Sequence, residues 1–274
     1  MATTAEGSRT NTGPVPSRMF DGTRPLKRWR YVGIFCERFM ACGAIVRVGP
    51  LKQSFWALYE REGEELRERT RMVPRRGELV LGQGSLRVQD RGVSLELELV
   101  EEAGIEALCA HGRGMVWTRK QAGVAAHGRL ALDGRPAQEV RARAVIDDTA
   151  GHHARHTEWH WSAGVGEGSD GRALAWNLVS GVNDPPNGSE RAVWVDSAAH
   201  EVPPVSFAED LSGVRCEDGS ELRFTAEARR ERHDELVLLA SDYRAPFGSF
   251  AGTLPGNVVL ERGLGVMEHH RARW

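Results

Sequence analysis

Signals that assign a function at sight are scarce in this sequence, and each gap removes a class. Cysteine is one: the 274 residues contain only 4, Cys36, Cys42, Cys109 and Cys216, spread over three regions. Only Cys36 and Cys42 lie near enough in sequence to form a local pair. Neither a disulfide scaffold nor a Cys-x-x-Cys metal knuckle is present, and reduced cytoplasmic thiols are the expectation. Long apolar runs are missing as well. No stretch approaches the roughly 18 apolar residues of a spanning helix, which argues for a soluble chain with no integral membrane segment. The first twenty residues hold no apolar core of the roughly 7 to 15 residues that a secretory signal requires. Their small, polar, proline-bearing composition predicts a disordered arm over residues 1–20. Charge of one sign does not dominate: 36 Lys and Arg against 38 Asp and Glu give a formal net charge of −2, which argues against a nucleic-acid partner. Gly-x-Ser-x-Gly, His-Glu-x-x-His and Walker patterns are absent, so hydrolase, zinc-protease and nucleotide-dependent chemistry lose ground. Gly82-Gln-Gly84 lacks the third glycine of a dinucleotide loop and reads as a turn.

What is present is punctuation and alternation. The 31 glycines and 12 prolines are scattered at short intervals, which suits many short strands. Val93, Leu95, Leu97 and Leu99 alternate with Ser94, Glu96 and Glu98, the period of a half-buried strand. Asp133-Gly134 is a strong hairpin turn signal. Residues 59–70 and 225–236 are rich in Glu, Arg and Ala and have a helical alternative; strands joined by charged turns are preferred, including one over residues 236–241. The expected fold is all-β and antiparallel. The chain length suits two domains of roughly 100 to 150 residues. The polar, glycine-bearing stretch 147–153 is the natural boundary, predicting β domains over 21–147 and 148–274, each a small barrel or strongly bent sheet.

The densest chemistry lies in Asp147-Asp148-Thr-Ala-Gly-His152-His153-Ala-Arg155-His156-Thr157-Glu158-Trp159-His160-Trp161. On a strand over residues 155–162, Arg155, Thr157, Trp159 and Trp161 share one face and His156, Glu158 and His160 the other. Four histidines in this stretch invite a zinc hypothesis, but His156 and His160 on a strand stand about 13 Å apart at ~3.3 Å per residue, too far to share an ion. No metal is therefore expected. Large rings along one strand face need an apolar space to bury them. With Trp176 and Trp194 they form either an aromatic core between sheets or the wall of a ligand pocket, whose polar groups would be Asp148, His152, Thr157, Asn177 and Glu268. Near the C-terminus, Tyr243 precedes a run of glycines alternating with aromatics. Glu268 beside His269 and His270 is either a buried carboxyl poised as a general acid or a strand-end salt bridge.

As a set, Lys27 to Gly33 (KRWRYVG), Trp117 to Gly123 (WTRKQAG), Thr157 to Trp161, Asn177-Leu-Val, Phe247 to Leu254, Glu268-His-His and the terminal Trp274 resemble a bacterial family of domains of unknown function, family 2804. The resemblance runs over nearly the whole chain after residue 20. That family is distantly similar to the lipocalin-like group of carotenoid hydratases (hydroxyneurosporene synthases), AttH proteins and some fungal cyclases. The resemblance implies two tandem calycin-type barrels with a ligand cavity between or within them. It transfers no catalytic residue, because the hydratases' aspartate and histidine motif is only loosely echoed by residues 148–161.

Two functions from different classes follow. One is a hydratase, isomerase or cyclase acting without a cofactor on an isoprenoid or polyene. Asp148, His152 or Glu268 would supply the proton, and Thr157, Trp159, Trp161, Trp176, Asn177 and Tyr243 would bind the substrate. The other is a lipocalin-type carrier of a lipid or pigment. A third, a partner-binding protein, would show an exposed apolar patch and no ligand-sized cavity. A strongly perturbed carboxyl or imidazole facing a cavity separates the first from the second.

Overall fold

The computed structural model describes residues 14–235 and 240–274, and every regular element among the described residues is a β-strand. A small hairpin of β1 (Phe20–Asp21) and β2 (Arg24–Pro25) leads into the first sheet. That sheet holds β3 (Lys27–Phe35), β4 (Phe39–Val48), β5 (Leu51–Glu60), β6 (Glu65–Arg71), β7 (Leu79–Gly82) and β8 (Ser85–Asp90). It continues with β9 (Val93–Leu99), β10 (Ile105–His111), β11 (Gly114–Leu132) and β12 (Gln138–Gly151). The second sheet begins with β13 (His156–Gly168), β14 (Ala173–Ser180), β15 (Ala192–Val195), β16 (Ala198–Glu201), β17 (Val205–Phe207) and β18 (Gly213–Cys216). It ends with β19 (Glu221–Ala228), β20 (Glu231–Glu235), β21 (Ala240–Arg244), β22 (Phe247–Leu254) and β23 (Val258–Arg273).

The two sheets repeat one topology. The first runs β6-β5-β4-β3-β12-β11-β9-β8-β7 and the second β16-β15-β14-β13-β23-β22-β19-β18-β17, all antiparallel. In each, a four-strand meander is followed by a three-strand meander, then by a strand that extends it (β11 or β22) and a long final strand (β12 or β23) that lies beside the first. The first sheet curls until β7 crosses β4, where the Leu79 methyl comes within 2.9 Å of the point a Cβ on Gly43 would occupy. Glycine at 43 is what lets that roll close. The result is two lipocalin-like, strongly bent sheets in tandem.

Alternation explains most strands. In β9 the four apolar residues are buried and the polar ones lie outside them. Asp133 and Gly134 take φ of 52° and 72°, the left-handed pair of a tight hairpin turn, and Arg135 N donates to Leu132 O at 2.9 Å. Gly84, with φ 71°, turns β7 into β8. The stretches with a helical alternative form β5–β6 and β19–β20. Residues 1–13 of the anticipated arm, and residues 236–239 of one anticipated strand, lie outside the described residues. The arm's later part makes hydrogen bonds: Pro16 O accepts from Arg28 at 2.8 Å and Met19 O from Leu26 N at 2.8 Å. The polar stretch 147–153 is largely strand, since β12 continues to Gly151, and the chain crosses between sheets over residues 152–155.

Three apolar clusters result. One fills the first sheet's curl around Val32, Ile34, Leu86 and Leu95, and one fills the second around Leu174, Trp176, Leu178 and Phe250. The third lies between the sheets and includes Tyr31, Phe35, Trp161, Ala175, Phe247 and Val266. Arg143 of β12 fastens this interface by donating to Gly166 O and Leu174 O of the other sheet, each at 2.9 Å.

Candidate functional site

The interface opens into a cavity of about 640 Å³, within the range of ligand pockets. Because side chains alternate along a strand, strands near the centre of each sheet send one face into it. From the first sheet come Trp29 and Tyr31 of β3, Lys120 of β11, and Asp147 and Thr149 of β12. From the second come Trp159 and Trp161 of β13, Tyr243 of β21, and Glu268 and His270 of β23. Rings meet across the cleft. Trp29 stacks on Trp159 at 6.4 Å with 8° between planes, and Tyr31 meets Trp161 edge-on at 5.3 Å.

The polar groups fall into two carboxylate sites. Glu268 is 8% exposed, and its Oε1 accepts the Trp159 indole N–H at 2.8 Å. Burial lifts its pKa to about 7; the Trp159 hydrogen bond and the Arg230 charge offset part of that, while Asp147 adds to it. Asp147 accepts from Trp29 Nε1 at 3.0 Å, from Thr149 Oγ1 at 2.8 Å and from Lys120 Nζ at 2.7 Å. Lys120 also reaches Glu190 Oε1 at 3.2 Å, and Asn183 donates to the other Glu190 oxygen. Burial opposes the Lys120 ammonium, but Asp147 and Glu190 outweigh it and raise its pKa. Burial also pushes Glu190 up. The cavity histidines are neutral near pH 7: burial, with Lys27 nearby, lowers His153 to about 3, and burial, with His269 nearby, lowers His270 to about 3.

Of the residues expected from sequence, Glu268, Trp159, Trp161 and Tyr243 meet on the wall. Asn177 and Thr157 stand behind it: Asn177 Oδ1 accepts from Trp161 Nε1 at 2.8 Å, and Thr157 Oγ1 accepts from Trp274 Nε1 at 3.1 Å. Asp148 is not on the wall. Strand alternation points it to the other face of β12, where it pairs with Arg30 and Arg119 at 2.8 Å beside Glu101. His152 is also elsewhere, its Nε2 3.0 Å from Arg18 O. Trp176 is core of the second sheet, fully buried between Leu174 and Leu178 with its N–H on Ser162 Oγ at 3.0 Å. His156, Glu158 and His160 take the outer face of β13, as alternation requires; His160 stacks on His269 at 4.3 Å. Among the described residues no group of three or more His, Cys, Asp or Glu is arranged to hold a metal ion. Sequence reasoning missed Trp29, Tyr31, Lys120, Asp147, Glu190 and Arg230.

Two curled antiparallel sheets around a shared aromatic cavity define a lipocalin-like ligand-cavity architecture. The chain belongs to the family described as a domain of unknown function, DUF2804, whose profile matches residues 87–274. The structure is similar to that of an AttH-type protein from Nitrosomonas europaea, with TM-score 0.59 and 14% identity over 94% of this chain and 98% of that one. It is also similar to kievitone hydratase from Nectria haematococca (TM-score 0.57, 11% identity, 89% and 88% covered) and to CghA (0.52, 7%, 90% and 88%). At these identities the likeness shows the fold alone. A search of curated proteins gives no significant match. Among the described residues no helix is long and apolar enough to cross a membrane.

Proposed function

We propose that this chain is an acid catalyst, working without a cofactor, that hydrates, isomerises or cyclises a hydrophobic unsaturated small molecule, an isoprenoid or polyene. The observation that carries this is Glu268, a buried carboxyl on the wall of an aromatic cavity with its pKa moved close to neutral. A carrier has no need of such a group, whereas a general acid works best with a pKa near the working pH. The neutral histidines leave the carboxyl as the proton source. Trp159 donates to Oε1 and Tyr243 also bonds the Glu268 side chain, so the two aromatic residues fix the orientation of the carboxyl.

The proton passes from Glu268 to one alkene carbon, and the positive charge forms on the other, facing the π surfaces of Trp159 and Trp161. Attack by water forms the C–O bond, and the water's extra proton returns to the Glu268 carboxylate. Loss of a neighbouring C–H proton to the Glu268 carboxylate instead gives an isomer, and attack by a second double bond closes a ring and moves the cation to a new carbon, which then loses a proton to the same carboxylate. Asp147, held by Lys120, is a carboxylate across the cavity able to orient that water. Kievitone hydratase shares the fold, which supports hydration among the three outcomes. Four free thiols support a cytoplasmic location.

The test is organic extraction of protein purified from its own host, guided by native mass spectrometry, followed by incubation with the compound found. Turnover by the wild type and not by E268Q supports catalysis. Binding without turnover by the wild type makes the chain a carrier.

A further inference from the structure

Arg230, in the turn between β19 and β20, lies on the cavity wall yet is only 4% exposed. Its guanidinium is ringed by Phe247, Phe55 and Tyr243, with centroids at 5.3, 5.6 and 5.9 Å. Its Nε donates to Glu68 Oε2 at 3.2 Å, but that carboxylate's side chain is 44% exposed and engages one corner of the fork. Nη1 and the Tyr31 hydroxyl are buried and make no well-formed hydrogen bond among the described residues; the weak neighbours on offer are the Tyr243 hydroxyl for the guanidinium and the Cys42 thiol for Tyr31, and neither is an anion. The Tyr31 hydroxyl sits among Cys42, Tyr243, Arg230 and Glu268.

A buried donor on a charged group is costly to leave unpaired, and a buried cation is ordinarily matched by an anion. Several other charges on the wall have ion-pair partners, although Arg69 too keeps a buried Nη2 with no hydrogen bond. Lys120 holds Asp147 and Glu190, Arg69 pairs with Asp90, and Arg232 with Asp234. Guanidinium forks fit carboxylates in planar, two-bond geometry. We infer that the cavity takes an apolar molecule ending in a carboxylate, and that Arg230 Nη1 and the Tyr31 hydroxyl receive that carboxylate. This rests on the cavity being the ligand site proposed above and adds the head group the ligand must carry. The apolar remainder lies along Trp159 and Trp161, which puts its double bonds beside Glu268.

The test compares retinoic acid with retinol, two isoprenoids that differ only in the head group, by quenching of tryptophan fluorescence. The wild type is expected to bind the acid about tenfold or more tightly than the alcohol, the gain typical of a charge-assisted pair. R230Q should bring the two to parity by weakening the acid alone. Y31F, which removes one hydroxyl, should weaken the acid about threefold and leave the alcohol unchanged. R230K, which keeps the charge without the fork, should retain part of the preference. Equal binding of both ligands by the wild type overturns this inference while leaving the cavity as a ligand site. So does an acid preference that survives in R230Q; if R230Q does not fold, one unchanged in both Y31F and R230K overturns it. Failure of both ligands to bind overturns this inference together with the reading of the cavity as an isoprenoid site.

Discussion

The indole N–H of Trp159 donates to the Glu268 carboxylate at 2.8 Å, and the same bond recurs in the other sheet, where Trp29 donates to Asp147 at 3.0 Å. The correspondence follows from the repeated topology. Trp29 and Tyr31 stand on the first strand of one sheet as Trp159 and Trp161 do on the other. Tyr31 faces Asp147 across its sheet, and Trp161 faces Glu268. What differs is the third partner. Asp147 has the Lys120 ammonium at 2.7 Å, and Glu268 has no such cation within bonding distance among the described residues. One carboxyl is thereby paired with a buried cation and the other is pushed by burial toward its acid form, an asymmetry that suits a water-orienting group and an acid.

The first prediction concerns pH. Glu268 is surrounded by Trp159, Tyr243, Arg230 and Asp147, and its pKa in the folded protein, about 7, lies above its unfolded value. The folded state therefore binds the extra proton between roughly pH 4.5 and 7, and stability falls as pH rises through that window, by up to about 3 kcal/mol. Denaturant melts should show this slope in the wild type and lack it in E268Q. Catalysis that uses this proton should fall about tenfold per unit above pH 7.

Lys120 supplies a second test. Replacing it with methionine leaves Asp147 and Glu190 buried without their cation, which should cost about 3–5 kcal/mol in urea denaturation. K120M/D147N/E190Q, which removes all three charges, should recover much of that loss.

The tryptophans separate wall from core. Trp159 lines the cavity and Trp176 does not, so W159F should diminish ligand-induced quenching while W176F should preserve it. W176F should instead lower the melting temperature, since the ring it shortens packs over Gly164 and Gly263. Placing a methyl at Gly164, as in G164A, forces that indole to move and should destabilise by about 1–3 kcal/mol.

Asp148 and Asp147 are adjacent and point to opposite faces. D148N should leave ligand affinity within about twofold while weakening the Arg30 and Arg119 cluster by roughly 1–3 kcal/mol in denaturant melts. D147N should change ligand binding or turnover.

These adjacent residues also show how much of the site was legible in the sequence. Period-two alternation placed Thr157, Trp159 and Trp161 on one face, because a strand leaves few options for its side chains, while Glu268 stayed open between a buried acid and a strand-end salt bridge. The same period, counted along β12 from Val145 in the interface cluster, selects Asp147 and rejects Asp148; reading the segment as a polar linker hid that count. Trp176 lies between Leu174 and Leu178 at i±2, an apolar face that marks a core. The partnership of Lys120 with Glu190, and the arrival of Arg230 from a turn, have no local signature, because each is created only when the two sheets meet. The repeated topology is carried by strand order and has no local signature either.

The most direct test of the account is the carbonyl stretch of a protonated carboxyl in the infrared spectrum, taken as wild type minus E268Q across pH 5 to 9. A band present at low pH that titrates away near pH 7 is expected. A difference spectrum showing Glu268 ionised across the whole range would contradict it.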